Sequence, residues 1–292
     1  MFEQFTSQRI ATSGATINLV IGGQGPPLLL LHGYPQTYVM WHKVAPILAQ
    51  QFTVVCSDLR GYGDSEKPPS DRAHQTYSKR ATAQDQVEVM AALGFDRFFA
   101  AGHDRGGRVL HRLLLDFPHC VEKAAVLDIV PTRKIFETVD RQLATAYSHW
   151  FFLIEPYDLP ERLIGSDPEF YLKAKLRQWS GDAEAFTPEA VAQYVRCFRD
   201  PATIHASCED YRAAASIDLQ QEAEDRDRPI QCPLLVLWGA KGVMQRCYNV
   251  LDTWRERAVD VRGRALPAGH FLPEEVPTET TRALIEFFKE SQ

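Results

Sequence analysis

The stretch FFAAGHDRGGRVLHRLLLDFP constrains the fold more than any other, because two unlike periodicities meet within it. Residues 97–101 form an apolar run that reads as a buried strand, and the apolar positions that follow the turn recur at helical spacing. Between them lies Gly102-His103-Asp104-Arg105-Gly106. Glycines on both flanks let strand and helix approach closely, so a strand–turn–helix elbow results and lifts Asp104 above the end of the strand. Taken alone, the same string also reads as an aspartate capping a helix.

The rest of the chain repeats this rhythm. Apolar runs at 17–21, 28–31, 52–57, 123–127 and 234–238 are bounded by turn residues and alternate with helical patterns. Helices are expected at 78–93, with Ser78 as N-cap and Gly94 as terminator, and at 278–289 after Pro277. The alternation specifies an α/β chain, a mostly parallel sheet with helices on both faces. Between Asp128 and Pro233 the strands stop, and roughly a hundred residues read as helices rich in aromatic and charged side chains. An inserted helical cap is therefore expected, opened by Pro131 and closed by QQEAEDRDRP, which reads as a solvated linker. The expected division is 1–130 for the first part of the core, 131–228 for the cap and 229–292 for the second part of the core. Gly22, Gly23 and Gly25 precede a strand and do not open a helix, so they read as a hairpin turn and not a phosphate loop.

With 292 residues and 45% hydrophobic content, the chain can bury the core of one catalytic domain carrying an insertion. A net charge of −6 argues against nucleic acid as a partner, so an anionic ligand must be held by local positive charge. No apolar stretch approaches a membrane span, and MFEQFTSQRI lacks the pattern of a secretory leader; a cytoplasmic protein is expected. The cysteines, Cys56, Cys120, Cys197, Cys208, Cys232 and Cys247, form no C-x-x-C pair and none sits at metal-ligand spacing beside a histidine. They read as free thiols, and neither a metal nor a cofactor is expected.

Five segments, HGYPQTYVMW, SDLRGYGDSEKP, GHDRGGRVLHR, WGAKGV and GHFLPEE, together resemble the fluoroacetate (haloacetate) dehalogenases of the α/β-hydrolase fold, and they span almost the whole expected core. The resemblance implies that Asp104 is a covalent nucleophile. A carboxylate can displace a leaving group from saturated carbon and form an enzyme ester, whereas serine acylates at a carbonyl. His270, in the Pro267-Ala268-Gly269-His270-Phe271 run, would activate the water that cleaves the ester. The usual position of the third member reads Ala240-Lys241-Gly242 without a carboxylate, and Asp128 at the end of AAVLDIV takes that role. The Tyr34 and Arg105 amides would form the oxyanion hole. Asp58, Arg60 and Gly63 read as a hydrogen-bonded loop.

Arg105 and Arg108 are neighbours on the helix after the elbow, and two guanidinium forks there suit the carboxylate of a small acid. In the cap, His149, Trp150 and Tyr211 match family positions that surround the halide, and all three carry N–H or O–H donors. Trp179 and Phe151 read as packing residues. The expected partner is thus a small haloacid, and a homodimer stays open because no motif encodes oligomeric state. Two other readings share the residues. An epoxide hydrolase has the same aspartate and would use cap tyrosines, among Tyr147, Tyr157, Tyr171, Tyr194 and Tyr211, but two elbow arginines would be unpaired beside a neutral substrate. A non-catalytic receptor could use the same fold, and an intact Asp104, Asp128 and His270 set disfavours it.

Overall fold

The computed structural model describes residues 1–290. Eight strands form one sheet: β1 (Thr6–Ala11), β2 (Thr16–Gly22), β3 (Pro27–Leu31), β4 (Thr53–Ser57), β5 (Phe98–His103), β6 (Val121–Leu127), β7 (Leu234–Gly239) and β8 (Val261–Leu266). Their spatial order is β1-β2-β4-β3-β5-β6-β7-β8; β2 runs antiparallel to both neighbours and the remaining pairs are parallel. The central strands are continuous apolar runs because helices cover them: Leu28 to Leu31 of β3 and Ala124 to Leu127 of β6 have no exposed surface.

Two strands escape an apolar-run reading. β1, TSQRIA, and β8, VRGRAL, lie at the two edges of the sheet, where one side is solvated and polar side chains alternate outward. The glycine segment after β2 is also not a hairpin turn. β4 lies between β2 and β3, so this segment carries the chain past a strand, and the hairpin is β1–β2.

Helices cap as their sequences suggest. Ser78 accepts from the Ala81 amide at the start of Lys79–Ala92, and Gly94 after its end has φ +85°. Between β6 and β7 the described chain is helical, from Thr132–Glu137 through Ile217–Glu224, and its Tyr147, His149 and Trp179 line one cleft with Asp104 and Asp128, which follow the carboxyl ends of β5 and β6. The QQEAEDRDRP segment departs from a solvated linker. Its first half completes the helix Ile217–Glu224, and Asp225 is buried, pairing with Arg112 at 2.7 Å and Arg228 at 2.5 Å. Among the described residues, no helix is long and apolar enough to cross a membrane.

Candidate active site

The site is assembled from segments that leave the carboxyl ends of five strands, the crevice where open parallel sheets bind ligands. β5 delivers Asp104, the first residue of the helix Asp104–Asp116, at φ +46°. A side chain at Gly102 would meet the Gly106 carbonyl oxygen at 2.5 Å, and one at Gly106 would meet the His32 oxygen at 2.4 Å, so the elbow requires both glycines. Asp104 Oδ1 accepts a 2.9 Å hydrogen bond from the amide of Tyr34, which follows β3. The Arg105 amide belongs to the first helical turn, whose N–H groups have no intrahelical partner.

The loop after β8 brings His270 Nε2 to 3.9 Å from Asp104 Oδ2, while its Nδ1 donates to Asp128 Oδ2 at 2.6 Å. Asp128 follows β6 directly, at φ +52°, and is buried; its Oδ1 accepts from the Gly239 amide at 2.9 Å at the end of β7. Burial disfavours protonation of His270, but its hydrogen bond to Asp128 and the charges of Asp128 and Asp104 raise its pKa above the ordinary imidazole value. For Asp104, burial opposes ionisation, yet His270 and the two arginines prevail and lower its pKa to about 2. At neutral pH it is a carboxylate.

Arg105 and Arg108 occupy the same helix but differ in their partners. Arg105 is bound bidentately by Asp210, at 2.7 and 3.0 Å, and Asp210 also accepts hydrogen bonds from Lys79 Nζ and the Tyr62 hydroxyl. The expectation of two unpaired elbow cations thus needs correcting: Arg105 is charge-compensated, and only its Nη1 has no partner. Arg108 meets no acid; it donates to the Val130 oxygen at 2.9 Å and Thr132 Oγ1 at 3.1 Å, leaving buried Nε and Nη2 without partners. Desolvation and the Arg105 charge lower its pKa. An enclosed cation so placed is stabilised by any anion that reaches it.

Three further donors converge from the cap. His149 and Trp150 lie on the helix Ser148–Leu153 and Tyr211 on Pro201–Ala214, all buried. His149 Nδ1, Trp150 Nε1 and the Tyr211 hydroxyl have no partner in the protein. The Trp150 ring lies 4.5 Å from the Arg108 guanidinium and the Tyr211 ring 4.1 Å from that of Arg105, so the donors and cations share one enclosure. Burial holds His149 neutral, well below the usual imidazole range. A cleft of about 160 Å³ leads to Asp104 and His270 between Tyr147, His149, Trp179 and Lys241.

Reading the sequence missed several members. Asp210 carries no signal beyond adjacency to Tyr211. Trp179, expected only to pack, does contact Phe271, yet it also walls the cleft 4.4 Å from His149, with its indole N–H unpartnered. Its backbone oxygen accepts from the His270 amide at 2.9 Å. Glu275 accepts from the amides of Gly269 and Phe271, on either side of His270, and from Gly181 of the cap, at 2.8 to 2.9 Å. By contrast, Asp58, Arg60 and His32 serve the loop: Asp58 accepts from the Tyr38 and Asp64 amides, Arg60 pairs with Asp85, and His32 accepts from the Leu59 amide.

An eight-stranded sheet with an elbow nucleophile position, a histidine after the last strand and a helical insertion defines a class. The chain belongs to the α/β-hydrolase fold family, whose family model matches residues 26–275. Over its whole length it is 47% identical to a fluoroacetate dehalogenase from Burkholderia sp, covering 96% of that protein. It is 33% identical to a soluble epoxide hydrolase from Corynebacterium sp. (strain C12), with 99% of each chain covered. A crystal structure from Nostoc sp PCC 7120, described provisionally as an alpha/beta hydrolase, superposes with a TM-score of 0.99 at 59% identity and full coverage of both chains.

Proposed function

We propose that the chain is a haloacetate dehalogenase, converting fluoroacetate or chloroacetate and water to glycolate and halide through an ester on Asp104. The observation that carries this reading is Arg108, a buried cation with two unpartnered N–H groups beside a carboxylate nucleophile and under three unpartnered neutral donors. A neutral substrate would leave those buried N–H groups without a charged acceptor, whereas a haloacetate brings a carboxylate to accept from them. The relationship to the Burkholderia fluoroacetate dehalogenase supports it independently.

Arg108 Nε and Nη2, with Arg105 Nη1, hold the substrate carboxylate. Asp104 attacks the adjacent carbon, and the halide leaves toward His149, Trp150 and Tyr211; His149 donates when Nδ1 carries its proton. Fluoride concentrates charge in a small ion and leaves poorly, so donors placed where that charge develops are worth most for it. Water then adds to the ester carbonyl, giving up its proton to His270, while Tyr34 and Arg105 amides stabilise the oxyanion. Asp128 orients the imidazole and stabilises its protonated form.

The test compares fluoroacetate with fluoroacetamide, a neutral molecule of nearly the same shape, by fluoride release. Loss of a hydrogen-bonded charge pair costs roughly 1.5–3 kcal/mol, so the amide should fall about tenfold to a hundredfold in kcat/KM, and Arg108→Met should erase most of the difference. No halide from either fluoroacetate or chloroacetate, or equal use of acid and amide, would overturn the assignment.

A further inference from the structure

Among the groups on the cleft wall to which the haloacid reaction gives no task is a buried phenol. Tyr147 borders the same cleft as Asp104 and His149, its ring 5.2 Å from His149 and stacked 6.0 Å from Trp150. Its hydroxyl feels the charges of Asp128, Asp104 and Arg108. Burial, reinforced by the two carboxylates, raises its pKa well above the usual phenol value, so it is a neutral proton donor at working pH. A departing halide needs hydrogen bonds but no proton. A departing alkoxide needs a proton, and a phenol beside the leaving-group enclosure can supply one.

We propose that the enzyme also hydrolyses small epoxy acids of the 2,3-epoxypropanoate (glycidate) type, with Tyr147 as the acid that protonates the opening ring. The inference rests on the haloacid reading for Asp104 and the arginines, and the same arginines set it apart from neutral epoxides. In glycidate, the carbon bonded to the carboxylate carries the ring oxygen where a haloacetate carries its halogen. Anchored by Arg108, that carbon meets the Asp104 carboxylate in the same displacement. An Asp104 oxygen–C2 bond forms, the C2–oxygen bond breaks, and the alkoxide left on C3 takes the Tyr147 proton. Water then adds to the ester carbonyl and gives a proton to His270. The C2 oxygen leaves Asp104 as the product hydroxyl, and the phenolate regains its proton through His270. One glycidate and one water thus give one glycerate, with no oxidant, reductant or metal required.

The experiment incubates the full chain with racemic glycidate, with neutral glycidol and with chloroacetate, measuring glycerate, glycerol and chloride. Glycidate should be hydrolysed above its uncatalysed rate and at least about tenfold better than glycidol, since the anchor is charge-assisted. General acids contribute about 10² to 10⁴-fold, so Tyr147→Phe should reduce glycidate turnover at least tenfold while chloroacetate turnover changes threefold or less in a variant with an unaltered melting temperature. A preparation that releases chloride but forms no glycerate overturns the inference and leaves the dehalogenase reading intact. Glycerate without chloride release from chloroacetate has the opposite meaning. Equal losses on both substrates in Tyr147→Phe remove Tyr147 as the acid.

Discussion

At the scale of single residues, Asp104 and His270 set each other's charge. The Asp104 carboxylate contributes to the raised pKa of His270, and in the proposed mechanism alkylation would convert that anion into a neutral ester. Removing a nearby anion destabilises the imidazolium, so the pKa of His270 falls when the intermediate forms, and more neutral base is present when hydrolysis needs it. Asp104→Asn mimics the uncharged state: imidazole resonances followed by NMR across pH should show His270 titrating lower than in the unmodified protein. An unchanged midpoint would separate the two groups. Trp150 offers a second test at this scale. Trp150→Phe keeps an aromatic face beneath Arg108, now 4.5 Å away, and removes one unpartnered donor. Losing such a donor costs about 10² to 10³ in rate, and fluoride, the poorer leaving group, should suffer more than chloride. Steady-state halide release from both haloacetates checks this; proportional losses would make Trp150 a shaping residue only.

At the scale of elements, the loop after β8 is tied to its surroundings more tightly than its length implies. The His270 amide donates to Trp179 of the cap, its oxygen accepts from His103 Nε2 at 2.8 Å, and Glu275 takes the amides on both sides together with that of Gly181. The short helix Leu272–Glu275 thus links the position of His270 to the seating of the cap. Glu275→Ala should leave the first burst of halide near its normal rate, because alkylation does not use His270, while steady-state turnover drops about tenfold as the ester waits for water. Burst and steady state falling together would mean that Glu275 supports the structure at large. Such ties are hard to read in a sequence because they join residues through backbone amides, which have no residue type. Edge strands evade reading for a different reason. Apolar runs reveal β3 to β7 because both faces are covered, but β1 and β8 have solvated faces, and the arginines of VRGRAL disguise a strand.

At the scale of the whole molecule, residues as far apart as Tyr34 and His270 come together because the sheet delivers its strand ends to one crevice beneath the helical insertion. That convergence was legible in outline. The elbow glycines, the acid ending β6 and the histidine following the last strand sit at ends that strand–helix alternation makes predictable. The charge balance was not legible. Whether Arg105 is free or paired depends on Asp210, a hundred residues away on a cap helix, and no local pattern marks that contact. The proposed chemistry turns on one step, the attack of Asp104 on carbon. A single turnover of chloroacetate, with enzyme in excess in water labelled with oxygen-18, tests it most directly. The hydroxyl oxygen of the first glycolate should be unlabelled, and the label should appear by mass spectrometry in the peptide carrying Asp104. Label in the hydroxyl of that first glycolate, with none in the peptide, would mean that water attacks the substrate itself and would contradict the covalent mechanism.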